Sequence, residues 1–300
     1  MSKDAANART GRHMRWTGRA LLSPAILAVT VIAVYPLVYI IAASFSKSSL
    51  GRPFSEWVGL ENFASLLGDG VTLPSLGRSL IFAFPSAVIA LIAGLVVALA
   101  LDAAVKSGRV IRVLLLLPLM TPPVMAAVIW KLILAPTGGL FNNIGQSFGS
   151  TESFLFLGSS PAAMISLTLV DAWQWAPFCV LLVYAALQTL PSEVYEASQI
   201  DGAGIWQTFW RITFPLVLPG LVTVLLLKLV VSFKVFDLVF IMTSGGPGFD
   251  TTVSSYQIYR TALQTFDVGA AAAQTIAFLI LVTLIVVPLN AVRQRMHREG

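Results

Sequence analysis

Three groups of side chains in this sequence have types and spacings that bear on chemistry. Asp171, Gln174, Trp175 and Phe178 stand at i, i+3, i+4 and i+7, so a helix through them carries a carboxylate, an amide and two aromatic rings on one face. Ser232, Lys234, Val235 and Asp237 form a second group, with Lys228 just ahead of it. Together with Asp171, these amines and carboxylates can be read as an acid–base centre. The third group lies in "VYEASQIDGAGIWQTFWRITFPLVLPGL" (194–221), where Glu196, Asp201, Gly202 and Gly204, with Glu193 just before them, interrupt apolar sequence. Catalysis finds little else to work with. The two histidines, His13 and His297, lie in the tails, and there is no nucleophile motif and no pair of carboxylates on one apolar segment. The single cysteine, Cys179, permits no intrachain disulfide, and no Cys/His cluster offers a metal site.

The segments that must position these groups are strongly apolar. Of 300 residues 57% are hydrophobic and 11% charged, against roughly 25% charged in a soluble domain. Such a chain cannot cover a water-facing surface with polar groups, so membrane lipid is its expected solvent. The net charge of +5 does not point to nucleic acid, because the basic residues gather at segment ends and form no aromatic-interleaved patch. A helix needs about 20 apolar residues to cross the hydrocarbon core. Six segments qualify: 20–45, 79–101, 110–134, 162–187, 215–242 and 270–291, the fifth interrupted by Lys228, Lys234 and Asp237. The first exceeds the roughly 7–15 apolar residues of a signal peptide and is expected to be retained. The expected fold is all-α: a polytopic membrane protein with six transmembrane helices in a domain over 20–291, flanked by tails at 1–19 and 292–300.

Lys and Arg orient these spans. Lys3, Arg9, Arg12, Arg15 and Arg19 precede the first, Lys106, Arg109 and Arg112 lie between the second and third, and Arg293, Arg295 and Arg298 follow the last. With six spans these fall on one side, whereas connection 135–161, without Lys or Arg, falls on the other. Both termini are then cytoplasmic, and so is the Glu196–Gly204 stretch between the fourth and fifth spans. Pro191 and Ser192 can start a short helix there, and Asp201-Gly202 signals a turn. A second helix is expected with Ile205, Trp206, Phe209 and Ile212 on one face. Such a helix–turn–helix either rests on lipid headgroups or docks in a groove of a soluble partner; periodicity does not choose.

"EASQIDGAGIWQTFWRITFP" resembles the EAA motif of the permease subunits of binding-protein-dependent ABC importers, through Glu196, Ala197, Ser198, Gly202, Ile212 and Pro215, with Ser198 in place of the third alanine and Phe214 in place of the usual leucine. "VGLENF" (58–63), "PLMTPPVMAAVIWKLILAPTGGLFNNI" (118–144) and "FDLVFIMTSGGPGFDTT" (236–252) are similar to stretches of the carbohydrate-importing members, which serve maltose-type oligosaccharides and glycerol-3-phosphate. The resemblance implies a multi-pass subunit of a bacterial cytoplasmic (inner) membrane that passes a sugar or sugar-like solute and is not itself an enzyme. It implies as partners a second homologous permease, two copies of an ABC ATPase and an extracytoplasmic solute-binding protein, the last meeting 135–161 and the "TSGGPGFDTT" loop. No cofactor is implied in this chain; ATP and Mg bind the partner ATPase, and the sequence has no G-x-x-x-x-G-K-[ST] of its own.

By the same match, the loop at 191–214 seats in the ATPase, with Glu196, Ala197, Ser198, Asp201 and Gly202 at its centre and Ile212 and Pro215 completing the motif. The helices before and after the loop would line the solute path. On the first, Asp171, Gln174, Trp175 and Phe178 suit a sugar, whose C–H faces stack on rings while its hydroxyls are bonded; alternatively, Trp173 and Trp175 belong to an interfacial aromatic belt. On the second, Ser232, Lys234, Val235 and Asp237 match the substrate-contacting region of maltose-type relatives, although Lys234 and Asp237 can also pair with each other. Two other classes remain: a polytopic membrane enzyme built on the charged groups, and a secondary transporter, which explains buried charges but not the cytoplasmic loop.

Overall fold

Backbone that meets lipid has to satisfy its polar groups internally, and this chain does so with helices. The computed structural model describes residues 3–103 and 109–299; Lys106 of the second basic cluster lies outside them. Among the described residues the α-helices are α1 (Lys3–Ser44), α2 (Glu61–Gly68), α3 (Thr72–Ala103), α4 (Arg109–Met120), α5 (Pro123–Ile133), α6 (Leu140–Ser147), α7 (Ala162–Leu187), α8 (Ser192–Ile200), α9 (Ile205–Thr208), α10 (Phe214–Phe233), α11 (Ser254–Tyr259) and α12 (Val268–Glu299). Wider π-helical turns cover Phe209–Thr213, Val239–Thr243 and Arg260–Gln264. Two-residue strands, β1 (Ser46–Lys47) and β2 (Glu56–Trp57), pair antiparallel. The described parts of both expected tails, 3–19 and 292–299, continue the helices they flank, α1 and α12.

Among the described residues, five helical stretches are long and apolar enough to cross a membrane: Leu21–Ser44, Thr72–Ala103, Ala162–Leu187, Ile205–Phe233 and Val268–Met296. The chain is an all-α polytopic membrane protein apart from the small β pair. The expected span at 110–134 is divided into α4 and α5, of 12 and 11 residues. The cause is Pro122-Pro123. Neither has an N–H to give the preceding turn, and each ring crowds the carbonyl four residues back. The expected span at 215–242 also differs: its helix starts earlier, through α9, and stops at Phe233.

The chain divides into two compact units. One comprises the chain up to Ser65 with Thr261–Ile276. In it Asn62 Nδ2 donates to the carbonyls of Ser44 and Ser46 at 2.9 and 3.0 Å. The Gly269 N–H donates to the Ser48 carbonyl at 3.0 Å. A Cβ on Gly269 would stand 2.4 Å from the Ser46 oxygen, so this approach requires glycine.

The other unit holds Leu66–Arg260 and the chain from Ala277 onward, and its core is built by α3, α7 and α10. Ala83, Ala87, Ala90, Gly94 and Ala98 place a stripe of small, buried residues along α3, which is how helices approach closely when lipid supplies no hydrophobic drive between them. At Gly94 the approach is tightest: an added Cβ would lie 2.6 Å from Cys179 Cβ on α7. On α10, Gly220 faces Ala186 of α7 in the same way, at 3.0 Å. Larger side chains fill one end of this core, among them Phe82, Leu167, Val170, Leu229 and Phe233.

Candidate functional site

Helix α10 stops at Lys234, whose N–H bonds the Val231 carbonyl at 3.0 Å, and the chain runs non-helically to Phe236 before resuming. The π-helical turn that follows is held to α5 by Lys131, whose Nζ donates to the Ile241 carbonyl at 2.7 Å. The break opens a cavity of about 300 Å³ walled by Pro123 of α5, by Asp171, Gln174 and Trp175 of α7, by Val231 of α10 and by residues 234–238. Two of the groups read from the sequence thus meet: Asp171, Gln174 and Trp175 share a cavity with Lys234, Val235 and Asp237. Phe178 and Ser232 are not part of the lining. Phe178 is on the expected helix face, but seven residues carry it about 10 Å along the axis past Asp171, where it packs against a second cluster around Cys179 and Val183. Ser232 is fully buried behind the cavity.

An isolated charge at membrane depth is costly and is normally compensated. Here Lys228, with a fully buried side chain, compensates Asp171. Its Nζ donates to Asp171 Oδ2 at 2.6 Å, to Ser232 Oγ at 2.7 Å and to Ser86 Oγ at 3.2 Å. An ammonium has three donors, and all three are used. Ser86 in turn donates to Asp171 Oδ2. The Trp175 ring lies beside the ammonium, its centroid 5.7 Å away. The result is a neutral network joining α3, α7 and α10. Lys228, which the sequence offers only within the charged group, is the member absent from the expected solute-path residues. Its sequence signal is weak: a lysine in an apolar run with Ser232 four residues on.

Gln174 is buried and also tied down. Its Nε2 donates to the Thr121 carbonyl at 3.0 Å, at the break between α4 and α5. The two tryptophans of "WQW" separate: Trp175 lines the cavity, whereas Trp173 is exposed and meets Trp130 edge-on at 5.3 Å. Lys234 and Asp237 form no ion pair with each other. Their i, i+3 spacing brings side chains together only on a helix, and the backbone between them is not helical.

The third group folds as a helix–turn–helix. α8 ends at Asp201, and Gly202 takes φ +69°, a left-handed turn with nothing within 4 Å of an added Cβ, so backbone conformation rather than space calls for glycine. Buried Ser198 donates to the Tyr195 carbonyl at 2.7 Å, and Tyr195 OH lies 3.2 Å from Thr213 Oγ1, which ties α8 to the start of α10. Glu196, Ala197, Asp201 and Gly202 are exposed, as is Pro215. The apolar face expected at 205–212 divides. Ile205 and Trp206 project at 89% and 74% exposure, and Ile200 of α8 is exposed at 86%, whereas Phe209 and Ile212 are half-buried. The π-helical turn at Phe209–Thr213 takes more residues per turn than an α-helix, which rotates Ile212 out of the α-helical register.

Both stretches read as contact loops are themselves folded. In 135–161, α6 is anchored by buried Asn142, which donates to the carbonyls of Ala135 and Phe154 and accepts from the Phe154 N–H at 2.6 Å. In "TSGGPGFDTT", Thr251 and Thr252 are buried and donate to the Gly246 and Gly245 carbonyls at 2.7 and 3.1 Å, leaving Phe249 and Asp250 exposed.

Residues 104–298 match the model of a family described as "Binding-protein-dependent transport system inner membrane component". Among curated proteins, the chain is 30% identical over 279 residues to the trehalose/maltose transport system permease protein MalF of Thermococcus litoralis, covering 93% of this chain and 94% of the relative. It is 31% identical to the sn-glycerol-3-phosphate transport system permease protein UgpA of Salmonella choleraesuis, covering 91% and 92%. In fold it is similar to a chain of a bacterial alginate ABC transporter crystallised with an alginate pentasaccharide-bound periplasmic protein, with a TM-score of 0.83, 23% identity and coverage of 96% and 97%.

Proposed function

The chain belongs to the family of binding-protein-dependent transport system inner membrane components, and from that premise we propose that it is the permease subunit of an ABC importer passing a sugar or sugar-like solute into the cytoplasm. The observation that carries the proposal is the cavity at the break after α10, where Trp175, Gln174 and Asp171 face Lys234, Val235 and Asp237. A ring beside a few hydrogen-bonding groups is the lining a sugar needs, and the relatives are named for trehalose/maltose and glycerol-3-phosphate transport. Lys228, Ser232 and Ser86 hold Asp171 in place; Phe178 supports Trp175 edge-on at 5.8 Å.

In this proposal α4 and α5 act together as one span, giving six, with both termini and the helix–turn–helix in the cytoplasm of a bacterial inner membrane. The chain works beside a second homologous permease, and a solute-binding protein delivers the solute to the outer side at 135–161 and 243–252. Two ATPase subunits bind ATP and Mg and drive alternating access. The loop at 191–214 receives that drive: Glu196, Ala197, Ser198, Asp201, Gly202, Ile212 and Pro215 form it, and projecting Ile200, Ile205 and Trp206 present an apolar surface suited to a groove.

Gly202→Val and Glu196→Lys test the coupling role. A β-branched residue at φ +69° is disfavoured by roughly 1–2 kcal/mol, and Glu196→Lys reverses a charge on an exposed helix without disturbing the backbone. Both variants are expected to reach the membrane and to lose ATPase co-purification or binding-protein-stimulated hydrolysis. Wild-type docking, hydrolysis and uptake in both would overturn the coupling role.

A further inference from the structure

We infer that the cavity selects an uncharged polyhydroxyl solute over an anionic one, an inference that rests on the sugar-permease proposal above and narrows its substrate class. Asp171, Lys234 and Asp237 line the cavity, and Lys228 is bonded to Asp171 from behind it at 2.6 Å. Their formal charges cancel: Asp171 with Lys228, and Asp237 with Lys234. What an incoming group meets is therefore Asp171, already paired with Lys228, together with Asp237 and the Lys234 ammonium, which form no ion pair with each other. Asp171 Oδ2 takes the bonds from Lys228 and Ser86, and among the described residues no hydrogen bond engages Oδ1.

A phosphate, sulfonate or carboxylate is served by an excess of fixed positive charge and above all by the two-pronged donors of arginine. Among the described residues no arginine lines this cavity. An anion held by Lys234 would share one small cavity with Asp237 and with Asp171, whose charge Lys228 already balances, so no fixed positive charge is left over to balance the anion. A hydroxyl has no such difficulty, because it donates and accepts at once. It can donate a hydrogen bond to Asp171 or Asp237 while accepting one from Lys234. The Trp175 ring and the aliphatic walls of Val231 and Val235 suit the C–H faces between the hydroxyls. Overall similarity does not decide the point, since relatives named for a neutral disaccharide and for a phosphate ester are 30% and 31% identical.

The test is ATP-driven uptake by the complete importer reconstituted in proteoliposomes with its binding protein. The neutral probes are radiolabelled maltose, trehalose and raffinose; the anionic ones are sn-glycerol 3-phosphate and glucuronate. Uptake of at least one neutral probe and of neither anion is expected. Lys234→Ala removes the donor and is expected to lower neutral uptake about tenfold, the size of one lost hydrogen bond. Lys234→Gln, which keeps a donor and drops the charge, is expected to recover most of that loss; co-purification of the partners controls for assembly. Uptake of an anionic probe, or a glutamine variant no better than alanine, would overturn the uncharged-solute inference and leave the sugar-permease proposal standing. Uptake of no probe would overturn both.

Discussion

Replacing Lys228 by methionine removes an ammonium from a site where its side chain is 0% exposed and leaves the Asp171 carboxylate with Ser86 as its remaining partner. At 2.6 Å the attraction of two unit charges is about 6 kcal/mol at an effective dielectric constant of 20. Desolvation of both ions offsets much of it, so the intact pair adds little net stability. Breaking it is different: a buried charge left without its counter-ion costs about 3–5 kcal/mol. At about 2–4 °C per kcal/mol, we predict that Lys228→Met lowers the unfolding midpoint by on the order of 10 °C, and that Asp171→Asn, which strands the ammonium, does much the same. The double variant, which buries no charge, should recover most of the loss. Cys179 offers the assay, because it is the only cysteine of the chain and is buried where α3 and α7 approach most closely. A thiol-reactive dye added to the purified chain during heating then reports the opening of that interface. Single variants with wild-type midpoints, or a double variant that loses the sum of the two singles, would refute the view of these residues as one neutral buried unit.

Two further predictions follow from packing and topology. Gly94→Ala forces a methyl group to within 2.6 Å of Cys179 Cβ, whereas Gly77→Ala on the same helix meets nothing within 4 Å. The first should destabilise by about 1–3 kcal/mol and the second should stabilise by up to about 1 kcal/mol through helix propensity, so equal dye-monitored midpoints would contradict the close α3–α7 approach. Cysteines placed at Ser150 and Gly204 should differ towards an impermeant thiol reagent in intact cells, Ser150 reacting from outside, with buried Cys179 giving little background. Reaction at Gly204 and not at Ser150 would invert the proposed orientation.

Much of this protein is legible along the chain because the features concerned are local. A run of about 20 apolar residues has few alternatives to a helix once lipid is its solvent, and four of the long helices start or end within a few residues of their apolar limits. Gly202 is legible for the same reason: Asp-Gly after a short helix signals a left-handed turn, and φ is +69°. Thr121-Pro122-Pro123 also carried a local signal, and hydropathy averaged over a window passes across it. What the sequence could not say is which distant groups meet. Lys228 and Asp171 are 57 residues apart, and a lysine three residues from Asp237 is not its partner once the helix ends between them. Those choices depend on how far each helix is rotated and slid against its neighbours. The small residues of α3 and α10 allow that close approach to α7, and the approach places an ammonium, a carboxylate and two hydroxyls together, since inside a membrane none of them has water to fall back on. The sequence determined where most of the long apolar helices lie and where the Asp201-Gly202 turn falls; the cavity and its charge balance come from helix contacts that exist only in the tertiary structure.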